Sequence, residues 1–344
     1  MSFTLFNGRP FPMPAWIRSN WFLLALAVSY AIGHFGAFAM QAVADQVWLR
    51  SALVFAVMWA MGVTLKPDAI RRSLKQPTAS VLAVMTNMFL VPMLCFPTQL
   101  FLSDPMFGGL MVASLVPCTL ASASVWTRKA EGDDSVSMVT TTVTNLACVV
   151  VVPVGVWIAL AVDAEVPLLA QMKKLALFVV LPMVLAQVMR RGGLTGSGLT
   201  GRGLGEWADR NKKRISTAAQ LGILVMVFFG AIKGRIFSEQ SEEALLGSLP
   251  LVAIAALAVH LIALGFGVGS AKLMGLPRDQ QIAVGISGSQ KTLMVGLQIA
   301  IDCGVSVLPM LIYHVLQLFA DTLIVERWRK RKRRPEAESD ANSV

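Results

Sequence analysis

Charge is scarce in this chain. Only 15% of its 344 residues are Asp, Glu, Lys or Arg, against about a quarter in soluble domains. Hydrophobic residues make up 55% and mean hydropathy is +0.65. A soluble globule with one anchor is excluded. Strict period-two alternation is also missing, which argues against a β-barrel. Cysteine is sparse: Cys95, Cys118, Cys148 and Cys303 lie in or at the ends of apolar runs, without metal-like spacing. They read as small core residues, and no disulfide framework or compartment follows from them. There are three histidines, and with the few aspartates they form no recognisable metal or nucleophile set, so an enzyme is disfavoured. The net charge of +10 does not point to nucleic acid, because the basic residues lie in the gaps between apolar runs. The partner this composition calls for is the lipid bilayer.

What is present is a series of long apolar segments, and the sequence predicts an all-α polytopic membrane protein. Ten spans are read, at about 17–40, 47–65, 78–100, 107–127, 136–161, 168–189, 215–235, 247–274, 281–301 and 304–326. Each has roughly the 20 residues that a hydrocarbon core requires. Lys and Arg concentrate in alternate gaps: Lys66, Arg71, Arg72 and Lys75; Arg128 and Lys129; Arg190 to Arg214; Lys272 and Arg278; Arg327 to Arg334. The positive-inside rule then places both termini in the cytoplasm, in a plasma or inner membrane. Residues 1–16 read as an N-terminal cytoplasmic segment. A cleaved signal peptide is conceivable there, but a retained first helix is preferred, since many spans follow.

A Gly-rich, basic stretch at 191–214 divides the chain and reads as a flexible cytoplasmic linker. Its glycine spacing fits no phosphate-binding fingerprint. The ten spans group as a five-helix repeat at 17–161 and another at 168–326 that contains this linker, with a basic then acidic cytoplasmic tail at 327–344. An odd number of spans per half inverts one half relative to the other.

The chain is organised around Gly285-Ile286-Ser287-Gly288-Ser289-Gln290-Lys291-Thr292. Irregular polar backbone persists at membrane depth only where it is buried in protein or lines a cavity. A lysine there is expensive and marks a functional site. The plainer reading is a kinked helix whose polar residues pack against neighbours. The fourth span carries a matching interruption, Pro117-Cys118-Thr119-Leu120-Ala121-Ser122. Paired interrupted helices in corresponding places point to a transporter's binding site, with Pro117, Thr119, Ser287, Gly288, Ser289 and Lys291 as substrate or coupling residues. Pro and Gly are common in membrane helices, which explains either break alone but not their matched positions.

These two motifs, with Met61-Gly62-Val63-Thr64-Leu65-Lys66-Pro67, Thr140-Thr141-Thr142-Val143-Thr144-Asn145 and Tyr313-His314-Val315-Leu316-Gln317-Leu318, resemble the bile acid:sodium symporter superfamily. The match is to its sodium/bile acid cotransporter 7-like branch, over roughly residues 15–330. The resemblance implies two inverted five-helix repeats. Discontinuous fourth and ninth helices would cross in a core domain, against a panel made of spans one, two, six and seven. It implies Na⁺ as a coupling ion, no other cofactor, and cation ligands at Asn87, Ser122, Ser137, Thr141 and Gln290. There are departures. Where sodium-coupled members carry a span-nine glutamate this chain has Ile286, and two asparagine positions hold Lys291 and Ala123. One carboxylate is lost and one ammonium gained, which counts against two-sodium coupling. Lys291 could occupy a former cation position, pair with an anionic substrate, or carry a coupling proton.

His314, Gln317 and Asp321 fall at i, i+3 and i+7 and form a secondary polar stripe in the last span. A proton relay is one reading. The favoured reading pairs Asp321 with a basic loop residue and bonds His314 within the bundle. His260 and His34 read as isolated core residues. The functional expectation is a secondary active transporter for a small, bile-acid-like or other organic anion, working by alternating access with possible Na⁺ coupling. The alternatives are a proton-coupled or uncoupled anion transporter with Lys291 in place of a cation, and a non-transporting regulator of ion (calcium) homeostasis. Substrate identity and oligomeric state are not readable.

Overall fold

The computed structural model describes residues 15–66, 77–119, 122–160, 168–190, 201–237 and 242–341. The N-terminal segment before residue 15, the junction at 161–167, the linker at 191–200 and the tail side chains beyond Arg329 lie outside the described residues. The described residues are helical throughout, with no strand among them. In chain order the helices are α1 (Ala15–Phe35), α2 (Ala37–Ala44), α3 (Val47–Val63), α4 (Pro77–Leu100) and α5 (Asp104–Leu115). Then come α6 (Ser122–Lys129), α7 (Asp134–Leu160), α8 (Leu168–Arg190), α9 (Gly201–Arg210) and α10 (Lys212–Phe237). The last four are α11 (Glu242–Leu273), α12 (Arg278–Ser289), α13 (Leu293–Asp302) and α14 (Leu308–Ala341).

Six of these helices are long and apolar enough to cross a membrane, or seven if α1 and α2, bent by 99°, are one span. The chain is an integral, multi-pass membrane protein. The ten segments read from sequence exceed that number by three. One is the 17-residue α3, and the others are the interrupted pairs α5–α6 and α12–α13. The linker is not coil throughout, since from Gly201 its residues are helical.

The helices fall into two groups by contact. Helices α1, α3, α8 and α10 pack on one another, chiefly as α1–α10, α3–α8 and α3–α10. Of the others, α2 packs on α10 and α9 on α8 and α10, while the rest form a second group in which α12 touches α4, α6, α7 and α11. The principal contacts between groups are α7–α8, α10–α13 and α3–α13. Large apolar side chains such as Ile32, Phe89, Trp157, Ile254 and Phe319 remain exposed on the outside, as a lipid solvent allows. Lipid tails are as apolar as Leu, so helix association depends on close packing of small residues. At Gly109 of α5 an added Cβ would lie 2.1 Å from the Ser306 carbonyl oxygen ahead of α14. Backbone leaves no room to yield, so Gly109→Ala is expected to destabilise the protein by about 2 kcal/mol, the scale of overpacking. Thermal unfolding of the purified variant checks this, and an unchanged midpoint would contradict it.

Local chemistry explains both interruptions. Pro117 disfavours a helical residue before it, and Val116 is extended at φ −65°, ψ 156°. Gln290 and Thr292 are extended as well, at ψ 139° each. Gly304, at φ 65°, supplies the left-handed turn that ends α13.

Candidate functional site

A helix broken inside a bundle leaves backbone N–H and C=O groups that must be paired elsewhere. At the first break, between α5 and α6, the Cys118 carbonyl accepts from Asn145 Nδ2 at 3.0 Å and the Thr119 carbonyl from Thr141 Oγ1 at 3.2 Å. The Cys118 N–H donates to Thr144 Oγ1 at 3.1 Å. Thr140 and Thr142 instead bond back to their own helix, on the carbonyls of Val136 and Met138.

At the second break, between α12 and α13, Asn87 Nδ2 donates to the carbonyls of Ser287, Gly288 and Gln290 at 3.2, 3.3 and 2.9 Å. Asn87 sits in a π-helical turn, Thr86–Leu90, of α4. Such turns recur at functional sites. Gly288 permits this approach, because a Cβ there would lie 2.9 Å from Thr86 Cγ2. Tyr313 Oη donates to the Ser289 carbonyl at 3.1 Å. Gln317 clamps the backbone of Lys291, accepting from its N–H at 2.8 Å and donating to its carbonyl at 2.9 Å.

The two breaks touch. The Thr292 N–H donates to the Pro117 carbonyl at 2.9 Å, and Lys291 Nζ donates to the Val116 carbonyl at 3.1 Å. The same ammonium donates to the Asn87 carbonyl at 2.5 Å and to Asn87 Oδ1 at 3.2 Å. Lys291 is only 2% exposed. Its charge therefore lies among three oxygens of the chain itself, the kind of neutral oxygen set that hard cations favour.

The structure brings the sequence-predicted residues together and gives each a protein partner. Ser122 Oγ donates to Gln290 Oε1 at 2.8 Å. Ser137 accepts from Ser287 Oγ at 2.7 Å and shares a hydrogen bond with Thr127 Oγ1. Ser289 Oγ turns back to the Gly285 carbonyl. His314 Nδ1 lies 2.8 Å from Gln317 Nε2.

Two readings are corrected. Asp321 does not pair with a basic loop residue. It is fully buried, accepts from Gln290 Nε2 at 2.5 Å, and lies 3.1 Å from His260 Nε2. His260 is therefore not isolated. The sequence held a signal for this pair: a carboxylate in an apolar span demands a partner, and His260 lies in the middle of the neighbouring apolar helix, α11. Tyr313 and Asn145 were visible only as members of longer motifs.

At the other end of the bundle, Lys174 of α8 pairs with Asp302 of α13 at 2.5 Å. Gln298 Nε2 donates to both oxygens of Asp302 at 2.9 Å. This cluster joins the two helix groups where α3, α8 and α13 meet.

The model of the SBF-like CPA transporter family matches residues 20–330 of this chain. Similar full-length proteins include "Uncharacterized protein PA2026" of Pseudomonas aeruginosa, 23% identical over 93% of this chain and 95% of that protein. "Probable sodium/metabolite cotransporter BASS4, chloroplastic" of Oryza sativa subsp. indica is 22% identical over 91% of this chain and 76% of that protein. "Sodium/bile acid cotransporter 7" of Xenopus tropicalis is 20% identical over 90% of this chain and 91% of that protein. The family resemblance carried by the short motifs thus extends over most of the chain. A membrane-embedded bundle and a family match across 20–330 lead to one assignment: the chain belongs to the SBF-like CPA transporter family and is a transporter rather than an enzyme.

Proposed function

We propose that this protein is a secondary active transporter that moves a small organic anion by alternating access, with Lys291 standing where a coupling cation would otherwise sit. The observation that carries this reading is the meeting of the two interrupted helices around the Lys291 ammonium. The reading takes α3 and the two interrupted pairs as spans, which makes ten in two inverted five-helix repeats. Both termini are cytoplasmic by the positive-inside rule. Helices α6 and α13 begin at the breaks, so two positive half-helix ends join the lysine in favouring negative charge. The relatives named for bile acid and for metabolite cotransport suggest the same substrate class.

The contacts between groups cluster at the end that holds Lys174 and Asp302. This supports a state closed at that end, with the panel of α1, α3, α8 and α10 free to part from the core at the cytoplasmic end. The residues assigned as cation ligands by resemblance already have protein partners: Asn87, Ser122, Thr141 and Gln290 bond one another or the broken backbone, and Ser137 bonds the hydroxyls of Thr127 and Ser287. A lysine whose ammonium lies among the Asn87 and Val116 oxygens takes the place of sodium at this position.

The test is tracer uptake into proteoliposomes, with taurocholate and short carboxylates as probes and Na⁺ exchanged for K⁺ at matched ionic strength. Uptake above empty liposomes, equal in the two salts, is expected. Uptake that requires Na⁺ would overturn the place given to Lys291. A chain that moves none of the probes while still altering ion homeostasis in cells would favour the non-transporting regulator.

A further inference from the structure

Two adjacent lysines, Lys173 and Lys174, lie inside the span formed by α8, about 8 Å below its first residue at ~1.5 Å per residue. Charge inside a span is costly, and such side chains face a cavity, find an opposite charge or reach up to the interface. Lys174 is paired with Asp302 of α13 at 2.5 Å. Lys173 is exposed and has no ion pair among the described residues. Both lysines line a groove of about 870 Å³ between α3 and α8, the size of a small-molecule site, about 300–1,000 Å³. Helix packing opens this groove. Helix α3 packs on the part of α8 from Ala176 onward, whereas the first turns of α8, Leu168–Leu175, pack on α7. The two helices therefore part toward the end opposite the cytoplasmic one.

The walls of the groove are graded along the membrane normal. Trp48, 67% exposed, stands at the start of α3, as aromatic anchors at the headgroup level do. Beyond Ser51 and Lys174 only apolar side chains follow, Ala52 and Phe55 on α3 and Leu177 and Phe178 on α8. We infer that this groove binds an anionic phospholipid of the non-cytoplasmic leaflet, with its phosphate at Lys173 and Lys174 and an acyl chain along Phe55 and Phe178. Charge complementarity and depth select this occupant. A lysine that merely reaches up to water needs no groove beneath it. A compact soluble anion would use the ammonium groups and leave the apolar walls bare. A phospholipid supplies the negative charge and the hydrocarbon in one molecule, in the order in which the walls present their partners. The choice of leaflet rests on the orientation proposed above; the site itself does not depend on transport.

The site bears on how the two helix groups are joined. Ser51, Lys174 and Phe178 also line a smaller cavity whose α13 side is formed by Gln298 and Asp302. Lys174 is thus shared between the groove and the ion pair that ties α8 to α13. A lipid phosphate and the Asp302 carboxylate compete for one ammonium. Bound lipid therefore weakens the tie between the helix groups at this end.

The test is native mass spectrometry of the full chain, delipidated in detergent and offered equal amounts of phosphatidylglycerol and phosphatidylcholine with the same acyl chains. The wild type is expected to retain more phosphatidylglycerol, by about fivefold, the attraction of an anionic lipid for one lysine. Lys173→Gln removes a charge and Ala52→Trp fills the groove, both at exposed positions. Each should lower that retention about fivefold. Asp302→Asn, which frees Lys174, should raise it. Equal retention of the two lipids by the wild type, or retention unchanged in Lys173→Gln or in Ala52→Trp, overturns the lipid site. No gain in Asp302→Asn overturns the competition for Lys174. Should taurocholate bind with this pattern of losses while phosphatidylglycerol does not, the groove takes a soluble anion and the lipid assignment falls. Because no arm measures transport, a failure here leaves the transport reading standing.

Discussion

Replacing Lys291 by methionine, which keeps the length and removes the charge, is expected to lower stability by about 3 kcal/mol. The Asn87 carbonyl, Asn87 Oδ1 and the Val116 carbonyl would then face a methyl group in a site that is 2% exposed. Leaving a buried polar group unpaired costs about 1–3 kcal/mol, which for three acceptors sets the scale. Against this, methionine avoids the desolvation of an ammonium, several kcal/mol in a buried site. Interhelical hydrogen bonds in membrane bundles are also weaker than in this simple count, at about 0.6–1.7 kcal/mol each. Destabilisation should still win, because one of the three oxygens belongs to broken backbone with no helical partner to return to. Thermal unfolding in detergent reads the result. A Lys291→Met midpoint equal to or above the wild type would mean that the ammonium is a burden on the fold, tolerated for another reason.

Asn87→Ala should be as damaging by a different route. One amide nitrogen serves three carbonyls at the end of α12, and the amide oxygen serves Lys291. Its removal unpairs the C-terminal end of that half-helix and withdraws one of the three oxygens around the lysine. A loss of about 3–4 kcal/mol is expected, built from charge-assisted and neutral hydrogen bonds of about 1.5–3 and 0.5–1.5 kcal/mol. Thr142→Ala is the control: its hydroxyl bonds only the Met138 carbonyl of its own helix, so the change should cost under about 0.5 kcal/mol. Equal midpoints for the two variants would show that the Asn87 network does not hold the second break.

Much of this was legible in the sequence because membrane segments obey few rules. Length and hydropathy marked the helices, and charge marked the gaps. Pro117 announced the first break through the backbone it forbids. Gly285, Gly288 and the crowd of polar residues announced the second. The resemblance supplied Asn87, Ser122, Thr141 and Gln290, which bond at the two breaks, and Ser137, which bonds Ser287 within α12.

What was not legible depended on which helices become neighbours. The i, i+3, i+7 spacing put His314, Gln317 and Asp321 on one face, but spacing cannot say that α11 lies opposite and brings His260 to Asp321. The favoured partner for Asp321, a basic loop residue, failed because the side chain points into the bundle, to Gln290 and His260. The role of Lys291 was open for the same reason. An ammonium beside a break can wait for an anion or fill a cation position, and spacing does not place the three oxygens that surround it. The linker was read as flexible from its glycines, yet from Gly201 it is helical, with Glu206 and Arg210 paired one turn apart.

The account turns on Lys291 taking the place of a cation. The most direct test is the melting temperature of the purified protein in Na⁺ against K⁺ at matched ionic strength, for the wild type beside Lys291→Ala. Alanine leaves both the oxygens and the space, and an ion that binds only the folded state raises its stability, by about 2.7 kcal/mol at one hundred times its Kd. The account predicts that neither salt distinguishes the wild type and that Na⁺ selectively stabilises Lys291→Ala. Selective stabilisation of the wild type by Na⁺, lost or unchanged in Lys291→Ala, would contradict it.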